Sequence, residues 1–89
     1  MALPERLSRK VDMWIEIVVS DTYVMMRDLA YPWEDFPRIV VSRIRARLRS
    51  GLLVDDWEFH AAELESAIDS RGLSHARQFL AARGITIPA

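Results

Sequence analysis

The sequence predicts an all-α fold, a small helical bundle of three main helices over about residues 5–29, 36–50 and 55–70, with a short C-terminal helix over about 74–83. Three observations carry this. Apolar residues recur at alternating steps of three and four through most of the chain, which is the period of a helix face and not of a strand. Prolines and glycines stand at the edges of the periodic runs, where they start and stop helices. Leu, Ile, Val and Phe together supply about 29% of the 89 residues, above the ~20% below which chains tend to stay disordered. One core, and so a single domain over residues 1–89, fits a chain of this length.

The first helix is read from Leu7, Val11, Trp14, Val18, Met25 and Leu29, with Thr22 in the intervening slot and Ile15, Val19 and Met26 widening the stripe. Pro4 suits its first turn, where the missing N–H has no helical partner in any case. Trp14 to Val19 would also suit a strand, since Ile15, Ile17, Val18 and Val19 are β-branched, with Ser20-Asp21 as its turn. A strand leaves the continuation of the stripe to Met25 and Leu29 unexplained, so the helix is preferred, with Ser20-Asp21 as the place for a kink.

Pro32 and Pro37 bracket Tyr31-Pro32-Trp33-Glu34-Asp35-Phe36-Pro37 as a break, with Asp35 placed to cap the second helix. That helix buries Val40, Val41, Ile44 and Leu48 and stops at Gly51. The third opens on Asp55 and Glu58 in capping-box spacing, presents Trp57, Ala61, Leu64 and Ile68, and is expected to end at Arg71-Gly72. Ser74 then caps a short fourth helix with Ala76, Phe79 and Leu80 on its apolar face and Gly84 as its stop, and the half-apolar tail from Ile85 tucks against the bundle.

Charge is nearly balanced, at −1 overall, which argues against indiscriminate binding to polyanions. Its distribution is uneven. Residues 36–51 hold five basic and no acidic groups, and residues 52–66 hold five acidic and no basic ones. Along the second helix Arg38, Arg45 and Arg49 fall on one side and Arg43 and Arg47 on the other, flanking the apolar stripe. Arginines so placed lay their stems along the edge of a core. They are expected to meet Asp55, Asp56, Glu58, Glu63 and Glu65 of the third helix, with a protein partner or nucleic acid as the alternatives.

No catalytic constellation is present. Cysteine is absent, the serines show no nucleophile-elbow pattern, and the three glycines are isolated, so no loop cradles phosphate. Asp56, His60 and Glu63 share a helix face but lack the converging set a metal needs. The expectation is therefore no enzyme, no cofactor, no metal and no small-molecule substrate. The opening Met-Ala-Leu-Pro-Glu-Arg lacks the apolar core of a secretory signal, and no apolar stretch approaches the roughly 20 residues of a membrane span. A cytoplasmic protein with no membrane partner is expected.

Two groups of residues point to binding. Tyr31, Trp33 and Phe36 cluster in the proline-bounded connection, either as interface anchors or as a lid on the core. On the first helix Ile17, Tyr23 and Val24 lie outside the main stripe, and a helix of about 38 Å outreaches neighbours of about 22 to 25 Å. The function expected is a non-enzymatic protein–protein interaction module, an accessory subunit, adaptor or inhibitor-like protein, acting as a homodimer or in a hetero-complex. The alternative is a small nucleic-acid-binding regulator using the arginine-rich second helix.

Overall fold

A computed structural model of the chain describes residues 3–49 and 57–87. Three α-helices, α1 (Glu5–Asp28), α2 (Phe36–Arg49) and α3 (Ala61–Ala81), pack so that each touches both others, and among the described residues there is no strand. Short 3₁₀ turns at Trp33–Asp35 and Trp57–His60 lead into α2 and α3. The all-α bundle is the fold of this chain. Gly51, Asp55 and Asp56, together with the side chains of Trp57 and Glu58, lie outside the described residues, as do the last two positions of the tail.

α1 runs unbroken through Ser20-Asp21. It starts after Pro4, whose carbonyl accepts a 3.0 Å hydrogen bond from the Ser8 N–H. Its buried face is Leu7, Val11, Ile15, Val18, Val19, Thr22 and Met26. The stripe is thus rotated from the one the spacing predicts: Trp14 and Met25 are only half-buried and Leu29 is exposed. Leu29 falls beyond the helix, where the chain turns away through Ala30 at φ 55°. There the Tyr31 N–H reaches back to the Met26 carbonyl (3.0 Å) and the Ala30 N–H to that of Arg27 (3.3 Å). These bonds satisfy the last carbonyls of α1 by the left-handed closing turn that glycine usually makes. An alanine there is strained by about 1 kcal/mol.

α2 buries Phe36, Val40, Ile44 and Leu48, each four residues from the last, with Pro37 tucked into its first turn. α3 does the same with Leu64, Ile68, Gly72, Ala76 and Leu80. Rows at this spacing form ridges, and ridges from two helices interlock closely where one row dips. The dip is Gly72. A β-carbon there would stand 3.1 Å from Val41 Cγ2 and 3.9 Å from Ile44 Cδ1.

The helix stop expected at Arg71-Gly72 and the separate helix expected over 74–83 are therefore replaced by one continuous helix. Gly72 leaves space for α2 and is not a turn, and Ser74 sits within the helix rather than at its cap. The true stop is Gly84 at φ 76°, where the Ile85 N–H bonds the Leu80 carbonyl and the Gly84 N–H that of Ala81, both at 3.0 Å. Beyond it Ile85 and Ile87 lie half-buried against the core. At 21 residues α3 is about 32 Å long against about 36 Å for α1. The long helix is thus covered along nearly its whole inner side, and the expected mismatch in length does not exist.

Candidate interaction surface

The residues singled out for binding separate into three groups. The first is an aromatic cluster closing one end of the core. Phe36 is fully buried, and Tyr23, Trp33 and Phe79 pack around it. Tyr23 stacks on Trp33 with ring centres 5.1 Å apart and meets Phe79 edge-on at 5.3 Å. Arg83 lies 3.4 Å above the Phe79 ring and 5.2 Å from that of Tyr23, and Arg27 lies 5.9 Å from Tyr23 on its own helix. Pairs of this geometry stabilise the fold beyond the area they bury. Phe36 is thus wholly inside the protein, Tyr23 and Trp33 are half-buried against it, and Tyr31 of the proline-bounded segment is half-exposed.

The arginines of α2 form the second group. Arg43 and Arg47 lie against α1, and Arg45 lies against α3, so the two rows flank the buried stripe. Asp21, Asp35 and Asp69 are among their carboxylate partners, whereas Asp55, Asp56 and the Glu58 side chain, expected as partners, lie outside the described residues. Arg43 donates to Asp21 Oδ2 at 2.7 Å and to the buried hydroxyl of Thr22 at 2.9 Å, both on α1. Arg45 donates to Asp69 Oδ1 at 2.6 Å on α3, while its Nε is buried with no hydrogen-bond partner. Arg47 stands 5.2 Å from the Trp14 ring, and the exposed Arg38 pairs with Asp35 three residues earlier. Arg49 is exposed at the end of α2. Glu63 and Glu65 take none of these pairings. A matching clasp joins the remaining two helices: Arg71 of α3 donates to Ser8 Oγ at 2.7 Å and to Asp12 Oδ1 at 3.1 Å on α1.

The third group is the outer face of α1. Ile17 and Val24 are 45% and 46% exposed, and Met13, not among the residues the sequence singles out, is 48% exposed. At 100° per residue Met13, Ile17, Ser20 and Val24 fall within a band about 60° wide, opposite the buried face. Steps of four, three and four keep the row straight along the helix. The same spacing stands in the sequence, where it is masked by the stronger inner stripe. Glu16 and Asp21 border the row on either side.

Elsewhere, an open polar cleft between α1 and α3 is lined by Asp12, Glu16, Arg71, Ser74, His75 and Gln78. Among the described residues no three His, Cys, Asp or Glu side chains come together in a way that could hold a metal ion. Nor, among them, is any helix long and apolar enough to cross a membrane. Compared with protein-family models, with curated proteins and with solved structures, the chain matches none.

Proposed function

We propose that this chain is a non-enzymatic helical interaction module that works by occupying the surface of a protein partner, with the outer face of α1 as its docking surface. The observation that carries the reading is the second apolar row, Met13, Ile17 and Val24. The inner face of α1 is served fully by α2 and α3, and the outer row gains nothing from the fold. Single apolar residues scattered on a surface need no explanation, but three aligned on the outer side of the longest helix form a strip another helix can cover.

The α2 arginines support a protein partner over nucleic acid. Arg43, Arg45 and Arg47 have contacts between helices, and turning them to phosphates would break those contacts. A nucleic-acid reader keeps its cations on the face away from the core.

Ile17→Asp and Val24→Asp, separately and together, test the proposal. Both sites are solvent-facing, so the helical signal and melting behaviour should stay within about 0.5 kcal/mol of the parent. Association should be lost, whether read as the assembly size of the purified protein or as the proteins that co-purify with it from its native host. If the double variant leaves both readouts unchanged, the docking face of α1 is refuted.

A further inference from the structure

Among the described residues Ala30 is the one non-glycine with a positive φ, and it stands in the connection from α1 to α2. At φ 55° it is strained where a glycine would not be. Leu29, Ala30, Tyr31 and Pro32 are all exposed, and Leu29 and Tyr31 are 62% and 49% open to solvent although both are large and apolar. This connection alone ties α1 to the other two helices, and α1 brings a buried face of seven residues to the core.

We infer that two copies of the chain form a dimer by exchanging α1, with Leu29–Pro32 as the hinge, so that α1 of each copy packs on α2 and α3 of the other. The inference does not rest on the outer face of α1, which points to solvent in either arrangement. The surface that α1 leaves is complementary to α1 by construction, so the contacts between helices are regained in the exchanged pair. Asp21 and Thr22 of one copy meet Arg43 of the other, and Ser8 and Asp12 meet Arg71. The balance between closed monomer and exchanged dimer is then set by the hinge. Opening it lets Ala30 leave the left-handed region, and strain of this kind in a short connection favours exchange. Pro32 favours an extended Tyr31 before it. Four extended residues reach about 13 Å, more than the 8 to 10 Å between packed helices, so the two copies meet at their hinge ends. There the hinges pass each other about the two-fold axis, and Leu29 and Tyr31 of each copy gain apolar neighbours in the other.

The protein is refolded from urea at about 1 mM and about 10 μM, and its assembly size is followed by light scattering before and after dilution. Exchange predicts dimer at the higher concentration, returning to monomer on dilution no faster than the protein unfolds, because α1 must leave one core to enter another. Ala30→Gly relieves the closed form and should weaken the dimer by about fivefold for each hinge, about thirtyfold for the pair. Asp12→Arg and Arg71→Asp each set like charges across α1 and α3 at solvent-accessible sites, so both proteins still fold. Refolded together they should dimerise about tenfold or more over either alone, since only exchange brings position 12 of one copy to position 71 of the other. A parent that refolds as monomer at the higher concentration would overturn the inference. So would a dimer that dissociates faster than the protein unfolds, one indifferent to Ala30→Gly, or a mixture no more dimeric than its components. Loss of the dimer on Ile17→Asp would also overturn it, and would leave the outer face of α1 as the docking surface. A dimer that survives Ile17→Asp supports exchange, and the outer face then stands or falls by co-purification alone.

Discussion

Replacing Gly72 with Ala sets two opposed effects of similar size against each other. Alanine is more favourable than glycine inside a helix by about 0.8 to 1 kcal/mol, and Gly72 lies in the middle of α3. The new methyl, however, would stand 3.1 Å from Val41 Cγ2, where carbon atoms rest at about 3.5 to 4.0 Å. Val41 would have to retreat by about 0.5 Å, and a β-branched side chain in a helix has one strongly preferred rotamer with which to do so. Overpacking by a methylene costs about 1 to 3 kcal/mol, with the low end applying to a half-buried neighbour. Gly72→Ala should therefore leave stability within about 0.5 kcal/mol of the parent. In a Val41→Ala background the obstruction is gone, and the same substitution should stabilise by about 1 kcal/mol. Urea unfolding of the four proteins, followed by far-ultraviolet circular dichroism, gives the coupling energy, expected at about 1 kcal/mol. A coupling near zero would refute the close approach of α2 to α3. A loss of about 1 kcal/mol in both backgrounds would mean that Gly72 is a left-handed helix stop after all.

The two closing turns give a reciprocal pair of predictions. Ala30→Gly should stabilise by about 1 kcal/mol and Gly84→Ala destabilise by about as much in thermal or urea melts, since both residues are left-handed and nothing crowds Gly84. Arg43→Ala should cost about 1 to 2 kcal/mol, because it takes the cross-helix donor from the buried Thr22 hydroxyl, and Thr22→Val in that background should restore part of it. Arg38→Ala, which removes only an exposed pair within one turn, should change stability by about 0.3 kcal/mol or less. Titration with duplex DNA at low salt should show no binding, and affinity falling steeply with salt would restore the nucleic-acid alternative.

Much of this architecture is legible in the residue pattern, and its failures have physical reasons. Phe36, Val40, Ile44 and Leu48 announce α2 through spacing alone, and Gly84 stops α3 where a left-handed residue is needed. Gly72 misleads because the absence of a β-carbon serves two unrelated ends, a backward turn and a close helix approach. The cue that separates them is the uninterrupted row Leu64, Ile68, Gly72, Ala76 and Leu80, which a helix break would have put out of phase. Arg45 pairs with the third helix as the charge pattern predicts, but at Asp69, for a reason of register. Arg45 stands beside Asp69, past Glu63 and Glu65 in the chain, and sequence does not reveal which turn of α3 comes to lie against a given turn of α2. The aromatic residues read equally as lid or anchor in the sequence, because Phe79 and Arg83, which complete the cluster, stand far along the chain.

The three arginine clasps bear on handedness. A three-helix bundle has a mirror-related topology in which the third helix lies on the other side of the first two, and apolar stripes as alike as these would be buried about equally well in either. Here Arg43 joins α2 to α1, Arg45 joins α2 to α3, and Arg71 joins α3 to α1, each on the flank that faces its neighbour. In the mirror arrangement those flanks change neighbours. The Arg43 side of α2 would then turn toward the Arg71 side of α3, and the Asp21 side of α1 toward the Asp69 side of α3. Two of the three seams would join like charges, so groups that add little to stability by their attraction would select the left or right turn of the bundle by the repulsion they impose on its twin.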